Sequence, residues 1–194
     1  MRMKPARRPA RYDELLKVPD TKVAEILDGE LFVSPRPASP HAFAASAMGA
    51  DLIGGFQRPP GDPLGPGGWW LLDEPELHFG DDVLVPDQAG WRRSRMPTVP
   101  NVAAFTQAPD WACEVASPST ARIDRSRKMR IYAREGVGHL WIVEPVARTI
   151  EVYRLEHGQW VVAAVHGGDD PARLEPFDAI ELDVRRWWLE SAMP

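Results

Sequence analysis

Residues 111–165 constrain this chain more than any other stretch of it. WACEVA reads as a short apolar strand, and SPST after it as a turn with helix-capping hydroxyls. ARIDRSRKMRIYAREG carries a helical pattern that stops at Gly136, the residue type expected just past a helix end. HLWIVEP, TIEVYRL and QWVVAAV then read as three strands of a meander. Inside this block one residue is out of keeping. Glu114 is surrounded by Trp111, Ala112, Cys113, Val115 and Ala116, and a basic run follows within ten positions. Burying an ionised carboxylate costs roughly several kcal/mol unless a cation or donors answer it. Either Glu114 is a structural ion pair, or something brought to the site supplies positive charge.

The upstream half supplies the rest of the architecture. RYDELLKVPD (11–20) predicts a short helix ended by Pro19, and AEILDGELFVSP predicts a hairpin turning at Asp28-Gly29. A helix over about 40–56 is expected, with Ser39 as its cap and Phe43, Ala47, Ala50 and Leu52 at helical spacing. Residues 58–68 hold four Pro and four Gly in eleven positions, so they form a loop. WWLLDEPELHF, broken at Pro75, and DVLVPDQAGW predict further strands, and LEPFDAIELDVRRWWLE a last strand with a short helix. The expected fold is α/β (α+β), a mixed β-sheet flanked by helices with an N-terminal hairpin. No repeat or linker divides it. Residues 11–194 are expected to form a single domain behind a basic N-terminal tail, 1–10.

Composition narrows the function classes. At 44% apolar and 26% charged residues the 194-residue chain reads as soluble and globular, with no stretch long enough for a membrane span and no secretory signal. Cys113 is the one cysteine, which excludes an internal disulfide and a Cys-based zinc cluster and fits a cytoplasmic location. The net charge of -5 opposes a protein that holds nucleic acid by backbone contacts alone. Basic residues do cluster, five in 2–11, three in 92–95 and six in 122–134, although such a run is most often a solvated helix face.

Asp87 is expected at the end of the strand VLVPD, Glu114 in mid-strand 27 residues later, and Asp124, Lys128 and Tyr132 on one face of the next helix. If the two strands are neighbours, both carboxylates converge at one sheet edge under that helix face. Two converging carboxylates repel unless a proton or cation lies between them. A hard divalent ion suits them, because Mg²⁺ takes one or two carboxylates together with phosphate and water. Spacing alone favours the structural ion pair, since Asp, Glu and Lys recur in any soluble chain.

The ordered set AEILDGEL, SPRPASPH, VPD, CEVASPST and IDRSRKMRIYAREGVGHLWIVEP resembles the Uma-two family, restriction-endonuclease-like proteins of the PD-(D/E)XK nuclease superfamily, over roughly residues 10–155. The resemblance implies a restriction-endonuclease-like core and a Mg²⁺-dependent (or Mn²⁺-dependent) endonuclease acting on DNA. It implies Asp87 and Glu114 as catalytic acids and metal ligands. The superfamily's lysine, two positions after the second acid, is replaced here by Ala116, and Lys128 is implied as its migrated equivalent. Glu25, His41, Asp124 and Tyr132 also match family positions and are possible additional site residues. The helix at 40–56 offers only Asp51 as an acid. A homodimer is expected, since cutting two strands takes two symmetry-related sites. Trp69-Trp70 and Trp187-Trp188 are core or dimer-interface aromatics, and Cys113 is packing. The alternative reading is a noncatalytic nucleic-acid-binding or assembly protein that keeps the nuclease fold.

Overall fold

Chain direction in the N-terminal third is set by a few local choices. The computed structural model describes residues 8–118 and 120–190, so most of the expected basic tail and Ser119 of the SPST turn lie outside the described residues. Helix α1 (Tyr12–Leu15) is one turn long and leads into β1 (Lys22–Leu27) and β2 (Glu30–Pro35). Asp28 and Gly29 both have positive φ, 52° and 74°, as a type I′ turn demands of its two central residues. Helix α2 (Ser39–Phe56) begins one residue earlier than expected, with Ala38 rather than Ser39 at the cap. Its buried face is Ala44, Met48, Leu52 and Phe56, a strict four-residue spacing, while Phe43 points outward.

Two prolines then divide what read as two strands into four. The stretch before Pro75 is β3 (Trp69–Asp73) and the stretch after it β4 (Glu76–Phe79). Likewise β5 (Asp82–Leu84) stops short of Pro86, and β6 (Gln88–Arg92) starts just beyond. Proline has no N–H for a ladder bond, so each is a natural point to leave a sheet. The chain leaves at both: β4 and β5 belong to one sheet, β3 and β6 to another. Asp87 therefore does not end a strand VLVPD. It stands in the crossing between sheets, immediately before β6.

The first sheet has the order β2-β1-β5-β4-β7, where β7 is the short pair Ala104–Phe105. The second has six strands, β11-β10-β9-β8-β6-β3, formed with β8 (Trp111–Val115), β9 (His139–Glu144), β10 (Thr149–Glu156) and β11 (Gln159–Gly167). It is mixed, since β8 and β9 run parallel and the other pairs antiparallel. The parallel pair is connected by a helical run, 121–134, made of α3 (Ala121–Ile123), a π-helical turn (Asp124–Lys128) and α4 (Met129–Arg134). Gly136, at φ 76°, ends it.

Strand alternation sorts the residues of β8 to two faces. Trp111, Cys113 and Val115 pack with Trp141 and Val143 against Met48, Leu52 and Phe56 of α2. Ala112 and Ala116 lie in the opposite cluster with Leu140, Ile142, Ile131 and Tyr132, beneath the 121–134 run and the first sheet. Helices thus flank both faces of the mixed sheet. Among the described residues the C-terminal region forms only an isolated bridge, Ala172 with Leu182, and a 3₁₀ turn at Val184–Trp187. Trp69, Trp187 and Trp188 are core residues, and Trp70 is covered by the Arg93 guanidinium 3.4 Å from its ring centroid, so none of the four forms an exposed interface. Cys113 is buried with Sγ 3.9 Å from Met48 Sδ, a packing role. No helix among the described residues is long and apolar enough to cross a membrane.

Candidate active site

The register of β6 against β8 brings the two expected acids together. Ala89 lies opposite Ala112 and Gln88 opposite Cys113, which sets Asp87, just before β6, beside the Glu114–Val115 end of β8. Glu114 alternates with Cys113 and so points to the face under the 121–134 run, where Ala112 and Ala116 are too small to displace a longer side chain.

Each acid is held by named partners. Asp87 accepts the Val115 N–H at Oδ2 (2.6 Å), and its Oδ1 lies 3.1 Å from Nε2 of His41 in the first turn of α2. Glu114, only 2% exposed, accepts the Tyr132 hydroxyl at Oε1 (2.5 Å) and the Lys128 ammonium at Oε2 (2.8 Å). Lys128 Nζ is also 2.9 Å from Glu25 Oε1 and 3.7 Å from Asp124 Oδ1, and donates to the Val85 carbonyl at 3.4 Å. Glu25, from β1, accepts the Val85 N–H at 2.8 Å with the same oxygen. The first sheet, the second sheet and the helical run each contribute a carboxylate to one ammonium.

All seven residues singled out by sequence meet here: Glu25, His41, Asp87, Glu114, Asp124, Lys128 and Tyr132. Six of them, all but Tyr132, line a pocket of about 260 Å³, with Arg36, Pro37 and Pro118 also among its walls. Asp51 does not take part. It accepts the Trp187 indole N–H at 2.8 Å and pairs with Arg186, tying α2 to the C-terminal turn. Arg36, Glu74, Ser117 and Thr120 also line the pocket and were not foreseen. Glu74 had a weak signal, standing before Pro75, and it adopts φ 45° there. Arg36 lies inside the SPRPASPH block, with only its charge to mark it.

Electrostatics follow from burial. Desolvation pushes the Glu114 carboxyl well above the usual carboxylate range, and the neighbouring Asp124, Asp87 and Glu25 push it further, against the pull of Lys128. Asp124 is raised for the same first reason, burial, with Lys128 and a Thr120 hydrogen bond opposing. Burial pulls the Lys128 ammonium down, but Glu114, Glu25 and Asp124 together hold it well above the ordinary lysine value. Tyr132 is raised by burial and by Glu114, and His41 is raised because Asp87 outweighs its desolvation. The His41 Nδ1 is buried without a partner. Five carboxyl groups, Glu25, Glu74, Asp87, Glu114 and Asp124, line the pocket with Lys128, Arg36 and His41, an excess of acidic over basic groups.

Five of the six basic residues of 122–134 lie on a partly exposed outer face, most of them paired with acids. Arg125 pairs with Glu144 and Glu151, Arg127 with Glu30, Arg130 with Asp28 and Arg134 with Asp82. Lys128 faces inward, and only Arg122 has no carboxylate partner among the described residues.

A family profile described as “Uma2: Putative restriction endonuclease” matches residues 9–185. The chain belongs to the Uma2 family. Its fold is the restriction-endonuclease-like core of the PD-(D/E)XK superfamily, a mixed sheet flanked by helices. A crystal structure described as a putative nuclease belonging to DUF820, from Anabaena variabilis ATCC 29413, superposes with a TM-score of 0.72 at 24% identity. The superposition covers 93% of this chain and 98% of that one, a likeness of fold. No curated protein matches. In this Uma2 chain the small Ala116 fills the position two after Glu114, and the ammonium reaches Glu114 from the helix instead. Among the described residues no group of three or more His, Cys, Asp or Glu side chains is arranged to hold a metal ion.

Proposed function

We propose that this Uma2 chain is a divalent-metal-dependent phosphodiesterase that cuts DNA, with Asp87 and Glu114 holding the ion and Lys128 serving the attacking water. The observation that carries the reading is that Asp87, Glu114 and Lys128 line one pocket, with Lys128 Nζ 2.8 Å from Glu114. The residues fit Mg²⁺ or Mn²⁺ in chemistry and in charge. Their donors are all carboxylate oxygens, two carboxylates are what Mg²⁺ uses beside phosphate and water, and the site carries negative charge that its own cations do not cancel. They offer a two-carboxylate seat and no closed cage.

When bound, the ion supplies polarisation of a phosphoryl oxygen and charge for the leaving oxygen. The chain's own residues do the rest. Asp87 is fixed in direction by the Val115 N–H and His41, so it needs no reorganisation to act. The Lys128 ammonium, anchored by Glu25 and Val85, can orient a water or offset charge growing on phosphate. A lysine does this from any sequence position that reaches the point. DNA as substrate, a second copy as partner and the cytoplasm as compartment belong to the same proposal.

One observation favours the alternative, a noncatalytic protein keeping the fold. The arginines that would hold a phosphate backbone are mostly spent on carboxylates. Plasmid nicking and cleavage of end-labelled DNA with Mg²⁺ or Mn²⁺ separate the two. The enzyme reading expects cleavage that falls by roughly 10²–10³-fold or more in Asp87→Ala and Glu114→Gln. Wild type and both variants equally inert with every divalent ion would leave the noncatalytic reading.

A further inference from the structure

We infer that Lys128 is an exchangeable internal counter-ion: its ammonium keeps the acid cluster closed until a divalent cation displaces it from Glu114. This rests on the metal-dependent reading above and adds how the site is kept shut and opened. The ammonium sits among three carboxylates, 2.8 Å from Glu114, 2.9 Å from Glu25 and 3.7 Å from Asp124, which is a seat for a cation. Both oxygens of Glu114 are already engaged, Oε1 by Tyr132 and Oε2 by Lys128. Each oxygen keeps a further lone pair, so a cation that takes Glu114 as a ligand need not break a hydrogen bond, but at Oε2 it arrives beside the ammonium.

The two partners differ in what they can give up. The Tyr132 hydroxyl is uncharged and does not repel a cation. The ammonium does, and two positive groups cannot share Oε2 without a strong mutual penalty in a site this dry. Lys128 also has somewhere to go. Releasing Glu114 leaves it the Glu25 carboxylate, the Val85 carbonyl and Asp124, all on the pocket side. Asp87, by contrast, is held at both oxygens by Val115 and His41 and stays where it is. The moving part of the site is therefore a single side chain. It is carried on a π-helical turn, a rare geometry that concentrates at functional sites.

A catalytic lysine that merely accompanies the metal makes a different prediction, because its removal leaves metal affinity unchanged or weakened. Isothermal titration of the full chain with Mn²⁺ and with Ca²⁺ distinguishes the two. Lys128→Met is expected to bind about tenfold or more tightly than wild type, the scale set by removing a unit charge a few ångströms away. The gain should vanish in the Lys128→Met, Glu114→Gln double variant. Equal or weaker binding by Lys128→Met overturns the exchange and leaves the metal reading standing. No binding by wild type or variant, with either ion, overturns both. Should Lys128→Met fail to fold, wild type decides alone: Ca²⁺ is expected to shift the Lys128 ¹⁵Nζ resonance, and saturation with Ca²⁺ without that shift overturns the inference.

Discussion

The helical run 121–134 carries charge on two faces, and the two faces are built by opposite rules. Outward, Arg125, Arg127, Arg130 and Arg134 each meet at least one acid, and those pairs are half-exposed. Inward, one lysine meets three carboxylates with a fourth, Asp87, close by, and Lys128 and Glu114 are 4% and 2% exposed. The outer face is balanced in charge and wet, which is how a protein ties a helix to its neighbours at little cost. The inner face is unbalanced and dry, which a structure tolerates only for a reason. Balance of charge, more than its presence, separates fastening from chemistry on this helix.

Removing the inner cation tests that contrast most severely. Lys128→Ala leaves buried carboxylates without their counter-charge, and the expected loss is about 3–5 kcal/mol of stability. Urea unfolding at neutral pH measures it. A loss under 1 kcal/mol would mean the inner cluster is no more demanding than the outer one.

Acid pH separates the faces by sign. Glu114 is raised by burial and its acidic neighbours, so its contribution is fully present below the unfolded carboxylate value and is lost as pH rises through the folded one. Glu151 on the outer side goes the other way. Burial pushes it up, but hydrogen bonds from Arg125 and Tyr153 bring it below its ordinary value. Its contribution is present above the unfolded value and is lost as pH falls through the folded one. Melting curves from pH 3 to 8 should therefore show the wild-type advantage over Glu114→Gln shrinking as pH rises, and that over Glu151→Gln growing. Two difference curves of the same slope would erase the distinction.

The smallest effect belongs to the outer pairs. Arg130→Ala breaks the ion pair with Asp28 at an exposed position, and about 0–1 kcal/mol is expected, with Mn²⁺ affinity unchanged. A change in metal binding there would show the two faces to be coupled.

Much of this was readable from residues near one another in the chain. The Asp28-Gly29 turn, the helix stopped by Gly136 and the odd acid at Glu114 all follow from local chemistry, and each stands where expected. The acids meet Lys128 because strand alternation and helical spacing point them to a common face. What stayed hidden depended on distance or on small shifts in the backbone. Arg130 finds Asp28 across 102 positions, and no local pattern announces that pairing. The π-helical turn alters the hydrogen bonding of five residues whose composition suits an ordinary helix equally well. Pro75 and Pro86 were visible as interruptions, but an interruption does not tell whether the strand resumes in its own sheet or in another. The buried Trp187 and Trp188 lie in a region with too little periodicity to reveal their direction.

Those two prolines have a further consequence. At the crossing between sheets the Glu74 N–H reaches the Asp87 carbonyl at 3.1 Å, so the two departures lie side by side. Glu25 comes from one sheet, Glu114 from the other, Asp87 from the seam, and Lys128 from the helix laid across both. No intermediate that has folded only one sheet owns more than a fragment of the set. The constellation is complete only where both sheets and the helical run are packed together, so the site reads out the packing of the whole fold.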